Sequence, residues 1–410
     1  MATILAYTSP ALGHLLPMSA VLSELAGRGH SIHLRTLSGG VGVGRSLGFT
    51  TEAIDPEIEA ITQDDWQGSN PMAALKISVS VFGRRAAHEI GDLANATARV
   101  KPDALLLDVN CWGALSAAEA GDIPWASFCP FTPLLRSSGV PPFGLGLKPL
   151  PGALGRARDA AATAVLLAPL ERVGRPPLNA ARTRVGLAPV RSMDEFLRRA
   201  PLMMVASGKP FQYPQTDWGD TVHMVGPCAV SPGADVVPEW LSKIEQPIVL
   251  VTTSSEKQGD AELVSTAMAA LADEPVHVVA TMPAGAPTAL TTPANATLST
   301  FIAHGLVLSR AVCAVTHGGM GATQKALDHG VPVCVVPYGR DQFEVARRVE
   351  VARCGTRLPA KKLSVERLSV KIREAMTMAE GARRVAAGFA ATGGPARGAD
   401  LFEQRVLARV

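Results

Sequence analysis

The chain has 410 residues, more than one hydrophobic core usually serves, so two domains are expected. Apolar residues make up 47% of it and charged residues 18%, which is typical of globular proteins and excludes a disordered chain. The net charge of +3 is spread without a Lys/Arg block, which argues against nucleic acid as a partner.

Cysteine usage and hydropathy bear on the compartment. The six cysteines are far apart and form no Cys-x-x-Cys pair, so we expect buried free thiols in a reducing compartment. Residues 1–7 are apolar but too short for a signal peptide, and no apolar run approaches the ~20 residues of a membrane span. We therefore expect a cytoplasmic protein with no membrane partner.

Strands and helices alternate through the first half of the chain. Residues 3–8 are β-prone, and apolar residues at helical spacing follow until the glycines within residues 27–29. A second strand over residues 31–36 completes a βαβ unit, which implies parallel strands. Further apolar runs predict strands over 104–109, 125–128 and 202–206, with a helix over 114–120.

Two stretches of this half lack periodicity. Residues 129–155 are rich in proline, glycine, leucine and phenylalanine, which predicts long apolar loops, and loops of that length usually carry function. The stretch from Gly208 to Pro238 is rich in proline and has little periodicity. We therefore place an interdomain linker at residues 216–237.

The alternation restarts after the linker. Strands are predicted over 248–253, 276–280, 312–316 and 333–337, with helices near 261–272 and after Gly319. Two consecutive runs of βα units predict an α/β protein with two doubly wound parallel-sheet domains that face one another. We assign residues 1–215 to the first domain and 238–394 to the second, with a further helix in the tail.

The turn after the first strand contains Gly13-His14-Leu15-Leu16-Pro17, at the sheet edge where open α/β folds bind ligands. A histidine there is suited to act as a general base near neutral pH; capping of the helix is the alternative. Asp108 ends an apolar strand, where an unpaired carboxylate would be costly. Because parallel strands end at one edge, we expect Asp108 to orient His14, with a helix cap as its alternative role.

A glycine-rich turn, Thr-His-Gly-Gly-Met-Gly-Ala-Thr, covers residues 316–323. Glycines between a strand and a helix let a phosphate approach the backbone, and the N–H groups of the helix start attract anions. His317 adds a ring donor, so a leaving diphosphate can be stabilised without a metal. The chain has no Asp-x-Asp pair, no His-Glu-x-x-His and no Walker loop, so we expect no metal site.

Asp341 and Gln342 follow the strand predicted over residues 333–337. Adjacent acid and amide side chains at the carboxyl end of a strand are suited to bind vicinal hydroxyls. Asp341 is also a good N-cap for the following helix, and the two roles are compatible.

In order and spacing, these motifs resemble those of the family 1 glycosyltransferases, which include bacterial antibiotic glycosyltransferases and the UDP-glycosyltransferases of plants and animals. The likeness spans nearly the whole chain and includes Gly-His-x-x-Pro at residues 13–17, the 316–321 turn, Gly330-Val331-Pro332 and Asp341-Gln342. It implies a GT-B fold, in which two Rossmann-like domains face each other. The first domain would bind the acceptor and the second the nucleotide sugar, and a final helix, about residues 395–410, would cross back onto the first domain.

The resemblance implies a role for each matching residue. His14 is similar to the family's catalytic base, and Asp108 to the carboxylate behind it. The implied donor-binding residues are Ser255, Phe301, Ile302, His317, Gly319, Gly321, Ala322, Thr323, Asp341 and Gln342. A small apolar acceptor would lie among loops around residues 66–82 and 128–147, with Trp66, Phe82, Trp112, Phe128, Phe131 and Phe143 as the candidate contacts.

Departures from the family pattern concern the donor. Lys325 stands where a ribose-binding glutamate is usual, and Phe-Ile-Ala-His at residues 301–304 replaces Trp-x-Pro-Gln. Glu344-Val345 replaces the usual Asn-Ala, and Ser254 replaces a glycine before Ser255. These differences leave both UDP- and dTDP-sugars open as donors.

The implied reaction is an inverting displacement. His14 would take the proton of an acceptor hydroxyl, whose oxygen attacks the anomeric carbon while the diphosphate leaves towards residues 319–323. The nucleotide sugar is a co-substrate, no cofactor or metal is expected, and a homodimer is left open. The alternatives are a sugar-nucleotide epimerase of the same fold, a non-catalytic helper protein, and a nicotinamide-dependent oxidoreductase, although the first βα turn lacks Gly-x-Gly-x-x-Gly.

Overall fold

The computed structural model describes residues 1–230, 236–255, 258–285 and 290–409. Its first sheet is parallel throughout and has the order β3-β2-β1-β4-β5-β6-β7. The strands are β1 (Thr3–Tyr7), β2 (Ser31–Thr36), β3 (Thr50–Ala53), β4 (Ala104–Asp108), β5 (Trp125–Cys129), β6 (Met203–Val205) and β7 (Val222–Met224). The strand order reverses between β1 and β4, which is where open α/β sheets bind ligands.

The second sheet is also parallel and has the order β10-β9-β8-β11-β12-β13. Its strands are β8 (Ile248–Thr252), β9 (His277–Thr281), β10 (Ala296–Ser299), β11 (Ala311–Thr316), β12 (Val333–Val335) and β13 (Gly355–Arg357). The prediction of two doubly wound parallel-sheet domains is therefore confirmed.

Helices connect the strands in both domains. In the first domain they are α1 (Leu12–Gly27), α2 (Val41–Ser46), α3 (Pro56–Ala60), α4 (Pro71–Val100), α5 (Trp112–Ala120), α6 (Gly152–Arg184) and α7 (Met193–Leu197). After them come α8 (Glu239–Ser242), α9 (Ala261–Ala270), α10 (His304–Leu308), α11 (Met320–Asp328), α12 (Gln342–Ala352), α13 (Val365–Met376), α14 (Ala379–Thr392) and α15 (Gly394–Arg405).

Each sheet has a hydrophobic core on both faces, as the continuous apolar strands require. In β1, Leu5 and Tyr7 contact the core beneath α4, α5 and α6, whereas Ile4 and Ala6 contact the core beneath α1. The second sheet is divided in the same way between two further cores. Rigid, fully covered sheets thus position the loops at their carboxyl edges.

The last helix, α15, returns to the first domain. Phe402 is fully buried in the same core as the apolar face of α1. At the rim of this contact, Arg28 donates to Asp400 at 2.8 Å and to Glu403 at 2.7 Å. The predicted crossing of the C-terminal helix is confirmed.

Other sequence-based expectations need correction. Strand β7 lies inside the predicted linker 216–237, so the chain leaves the first sheet only after Met224; residues 231–235 of that linker lie outside the described residues. Phe82 lies on α4 and not in a loop, because Asn70 caps that helix by accepting the N–H of Ala73.

All six cysteines are buried and free, as predicted. In the described part of the chain, none of the helices combines the length and apolar character needed to span a membrane.

Candidate active site

The carboxyl edge of the first sheet brings His14 and Asp108 together. His14 lies in the first turn of α1, directly after β1, and Asp108 is the last residue of the neighbouring strand β4. His14 Nδ1 is 2.7 Å from Asp108 Oδ2, and Oδ1 accepts the backbone N–H of Asn110 at 2.8 Å. Asp108 is completely buried, whereas the His14 side chain is 16% exposed. Asp108 therefore orients a histidine whose ring still reaches the cleft.

Groups from both domains surround this pair. The ring of Phe131 lies edge-on to the His14 ring, with centroids 5.7 Å apart. From the second domain, Asp341 is close enough for its charge to interact with that of His14. Burial raises the pKa of Asp341 to about 6, and a backbone hydrogen bond, the charge of Arg340 and a protonated His14 oppose the rise. Histidine and carboxylate thus face each other across the interdomain cleft.

The carboxyl edge of the second sheet collects most of the predicted donor residues. Ser255 follows β8, Phe301 follows β10, His317 follows β11 and Asp341 follows β12. Ser255 is exposed, and the Phe301 side chain is 62% exposed, so its ring is available for stacking. The side chains therefore line one edge that is open to a ligand.

The glycine-rich turn before α11 is shaped by close contacts. Gly318 has a φ of +92°, which favours glycine, and a Cβ on Gly319 would lie 2.4 Å from Nε2 of His317. No Cβ contact within 4 Å is found for Gly321. Gly319 is the N-cap of α11, and it has no side chain to cap the helix. The start of α11 therefore presents backbone N–H groups next to the Nε2 side of His317.

His317 is buried, and its burial favours the neutral form of the ring. Burial lowers its pKa, and the nearby Asp260 carboxylate, at 4.0 Å from Nδ1, opposes the shift. Nδ1 finds no hydrogen-bond partner among the described residues. A neutral imidazole can donate one N–H to a phosphate oxygen, which is what the predicted role requires.

Several predicted site residues do not reach the cleft. Thr323 is fully buried, and its hydroxyl lies 3.1 Å from that of Thr316. Its side chain therefore does not reach a donor, although the residue lies in the first turn of α11. Ile302 is a core residue of the second domain, and Phe128 lies in the first-domain core beneath α1. Trp112 packs edge-on between Phe82 and Phe196. Which face of an apolar segment a side chain occupies could not be read from the sequence.

Gln342, a predicted sugar contact, is buried and hydrogen-bonded within the protein. Its side chain is 1% exposed, and Oε1 accepts the N–H of Tyr338 at 2.7 Å and of Gly339 at 3.0 Å. Gln342 thus closes the turn of residues 338–342, which we call the donor-sugar turn. Asp341, in the N-cap position of α12, makes no capping hydrogen bond with its side chain, which leaves the carboxylate for a ligand.

On the acceptor side, Phe131 and Phe143 are partly buried beside the first-domain core, and Trp66 is 44% exposed. Phe143 lines a cavity of about 220 Å³ between residues 134–143 and α6. The other apolar residues of that cavity include Leu134, Leu135, Pro141, Pro142 and Leu167. Polar residues, among them Arg136, Arg156 and Asp159, line the rest of the cavity, so the proline-rich loop encloses a space that is apolar only in part.

The departures from the family pattern also lie near the donor edge. His304 begins α10, and its Nε2 lies 3.1 Å from Oγ1 of Thr281. Burial, aided by the charge of Lys325, lowers the pKa of His304 to about 4, so it is neutral at pH 7. Burial also lowers the pKa of Lys325. A histidine and a lysine therefore occupy the region where the family usually carries Gln and Glu.

Contacts between the domains were not foreseen from the sequence. Arg340 of the donor-sugar turn pairs with Asp65 of the first domain through two hydrogen bonds of 2.7 Å. Glu344 accepts the backbone N–H groups of Gly144 and Gly146. No motif marks these residues, because both contacts join segments far apart in sequence. Within the described ranges, no cluster of three or more His, Cys, Asp or Glu residues is suited to bind a metal ion.

Two facing parallel sheets, with a His–Asp pair on one edge and a glycine-rich helix start on the other, define a GT-B enzyme. Residues 265–403 match the family described as Erythromycin biosynthesis protein CIII-like, C-terminal domain. The 4'-demethylrebeccamycin synthase of Lentzea aerocolonigenes is 30% identical over 383 residues, which cover 88% of this chain and 89% of that protein. The chain belongs to the family 1 glycosyltransferases.

Solved structures agree on the fold. The glycosyltransferase of kitacinnamycin superposes with a TM-score of 0.76 at 22% identity, covering 99% of each chain. The glycosyltransferase VinC, solved in complex with dTDP, gives a TM-score of 0.72 at 18% identity and covers 100% of each chain. The fold agrees with the family membership that the 4'-demethylrebeccamycin synthase shows, and that membership identifies a glycosyltransferase of the natural-product type rather than an epimerase, a helper protein or an oxidoreductase.

Proposed function

We propose that this enzyme transfers a sugar from UDP or dTDP to a hydroxyl of a small apolar acceptor, with inversion and without a metal. The observation that carries the proposal is the contact of 2.7 Å between His14 Nδ1 and the buried carboxylate of Asp108. When Asp108 accepts a hydrogen bond from Nδ1–H, the ring is held in the tautomer that leaves the lone pair of Nε2 free to act as a base.

The acceptor hydroxyl would bind beside His14, near the ring of Phe131. His14 takes the hydroxyl proton as the acceptor oxygen attacks the anomeric carbon, and the charge of the imidazolium is stabilised by Asp108. The bond from the anomeric carbon to the diphosphate breaks on the opposite side of the sugar. Attack from one domain and departure into the other support inversion.

The leaving diphosphate would be stabilised at the start of α11. Its positive dipole end, its backbone N–H groups and a ring N–H of neutral His317 supply favourable interactions for the developing charge. Asp341 would accept hydrogen bonds from sugar hydroxyls, and Phe301 would stack on the base. These groups support a metal-independent reaction.

The relatives support the choice of substrate class. A dTDP complex is known for VinC, and the demethyllactenocin mycarosyltransferase of Streptomyces fradiae is 28% identical over 199 residues, 47% of this chain and 43% of that protein. The apolar residues on one side of the cavity beside Phe143 support an apolar acceptor, which agrees with the polyketide, phenolic or macrolide class.

The test uses UDP-glucose and dTDP-glucose with the phenolic probe 4-methylumbelliferone, whose fluorescence falls on glycosylation. We expect His14→Ala to lower kcat by roughly 10²- to 10⁴-fold, because the base is lost. The dissociation constant for UDP or dTDP should stay within about twofold, as measured by calorimetry. Product NMR should show an inverted anomeric configuration, and EDTA should not change the rate. A fully active His14→Ala variant would contradict the proposal.

A further inference from the structure

Residues 141–147, which we call the acceptor loop, contact α12 of the second domain. The backbone N–H groups of Gly144 and Gly146 both donate to Oε1 of Glu344, each at 2.9 Å. Nε of Arg347 donates to the carbonyl oxygen of Gly146 at 2.8 Å. The loop of one domain is thus hydrogen-bonded to the first two turns of a helix in the other.

The backbone of the loop is shaped for this contact. Gly146 has a φ of +61°, in the region that favours glycine, and a Cβ there would lie 2.1 Å from the carbonyl oxygen of Phe343. Conformation and space therefore both require glycine at this position. A larger residue would push the loop away from α12.

The Glu344 carboxylate is also held from its other side. Its Oε2 accepts from Nη1 of Arg348 at 2.7 Å, and both side chains are 3% exposed. Arg348 donates to Oε1 of Gln212 at 2.8 Å and lies 4.4 Å above the ring of Tyr213. Because removal of either partner would leave the other buried and unpaired, Arg348 holds the Glu344 carboxylate in place against the loop.

A second contact ties the donor-sugar turn to the first domain. Nε and Nη2 of Arg340 donate to the two carboxylate oxygens of Asp65, which is 3% exposed. Asp65 directly precedes Trp66, and the acceptor loop itself contains the cavity residue Phe143. Both stretches that carry candidate acceptor contacts are therefore anchored to residues 340–348.

We propose that Glu344 is a positioning residue for the acceptor. It fixes the acceptor loop against the helix that begins at the donor-sugar turn, so a nucleotide sugar that contacts Asp341 also restrains the acceptor loop one helical turn away. The inference rests on the proposed function, since it takes the loop to be a wall of the acceptor pocket. The inference goes beyond the proposed function because acceptor recognition would then depend on whether the donor site is occupied.

The first test is the steady-state kinetics of Glu344→Gln with 4-methylumbelliferone at saturating UDP-glucose or dTDP-glucose. The amide keeps one oxygen for the loop but removes the charge that pairs with Arg348, so we expect acceptor KM to rise about tenfold. We expect kcat and the dissociation constant of the nucleotide to change less than twofold. Gly146→Ala displaces the same loop without touching the ion pair and should raise acceptor KM in the same way.

The matched control is Glu119→Gln. Glu119 pairs with the buried Arg182 through hydrogen bonds of 2.5 and 3.1 Å, and both residues lie within the first domain. Its loss should lower Tm as Glu344→Gln does, yet leave acceptor KM unchanged. Equal effects of the two variants on acceptor KM would show that Glu344 acts only through stability.

The second test is amide hydrogen exchange, which needs no acceptor. The ligand is whichever of UDP-glucose and dTDP-glucose raises the Tm of the wild-type protein more. In the wild-type protein, this ligand should slow amide exchange at Gly144 and Gly146, and Glu344→Ala should abolish the slowing. If the exchange rates at Gly144 and Gly146 of the wild-type protein are the same with and without the nucleotide, the inference is overturned, even if the variants fold poorly. A wild-type enzyme that transfers no sugar contradicts the proposed function, whereas normal transfer with unchanged acceptor KM in Glu344→Gln and Gly146→Ala overturns only this inference.

Discussion

Asp108 uses both of its oxygens: one contacts the His14 ring, and the other accepts the N–H of Asn110. We expect Asp108→Asn to lower kcat by roughly 10²- to 10⁴-fold, because an amide can force the ring proton onto the wrong nitrogen. The matched control is Asp103→Asn, at the opposite end of β4, where the carboxylate accepts the N–H of Thr3 at 2.7 Å. The control should keep its kcat, and a comparable loss in both variants would contradict an orienting role for Asp108.

At the same scale, the sequence was informative only where a residue was out of place in its surroundings. A carboxylate at the end of an apolar strand predicted the contact between Asp108 and His14, because burial of an unpaired charge is costly. Phe128 and Ile302 gave no such signal, since an apolar side chain is equally suited to a core and to a pocket. Glu344 and Asp65 are buried by contacts between the domains, which local patterns do not contain.

The start of α11 is the element on which donor binding depends in this proposal. Gly321→Ala adds a Cβ that has no contact within 4 Å beyond its own stretch of the helix, so it should stabilise the fold by about 0.5–1 kcal/mol. If the diphosphate approaches this backbone, the same methyl group should weaken binding of UDP or dTDP about tenfold, which calorimetry would measure. Gly42→Ala in α2 likewise adds a Cβ with no contact within 4 Å beyond its own stretch of the helix, and it serves as the control. Unchanged nucleotide affinity in Gly321→Ala would contradict the assignment of the diphosphate to this helix start.

Helices and strands differed in how far the sequence could predict them. The central strands were predicted to within a residue or two, because their apolar runs are continuous. In contrast, α6 contains Pro169, Pro176 and Pro177, which argue against a helix although the structure extends it from Gly152 to Arg184. Short edge strands such as β7 and β13 carry too few apolar residues to be recognised before the neighbouring strand is known.

For the whole molecule, the facing arrangement of the domains determines the environment of Asp341. This carboxylate lies at the carboxyl edge of the second sheet, yet its pKa is affected by His14 of the first domain. The pKa of about 6 lies above the usual value of 3.8, so the folded protein binds this proton more tightly than the unfolded chain does. The stability that results is present at low pH and is lost as the pH rises through about 6.

The same titration should appear in donor binding. As the pH falls from 7 to 5, Asp341 becomes neutral, and at pH 5 only about a tenth of it is ionised for a pKa of about 6. If the ionised carboxylate accepts hydrogen bonds from the sugar, UDP-glucose or dTDP-glucose should bind about tenfold more weakly at pH 5 than at pH 7, relative to the free nucleotide. Calorimetry of the sugar nucleotide and of the free nucleotide between pH 5 and pH 7 isolates the contribution of the sugar, because both ligands contain the same diphosphate. Asp341→Asn should remove the difference in pH dependence, and parallel pH profiles for the two ligands in the wild-type protein would rule out a contact between Asp341 and the sugar.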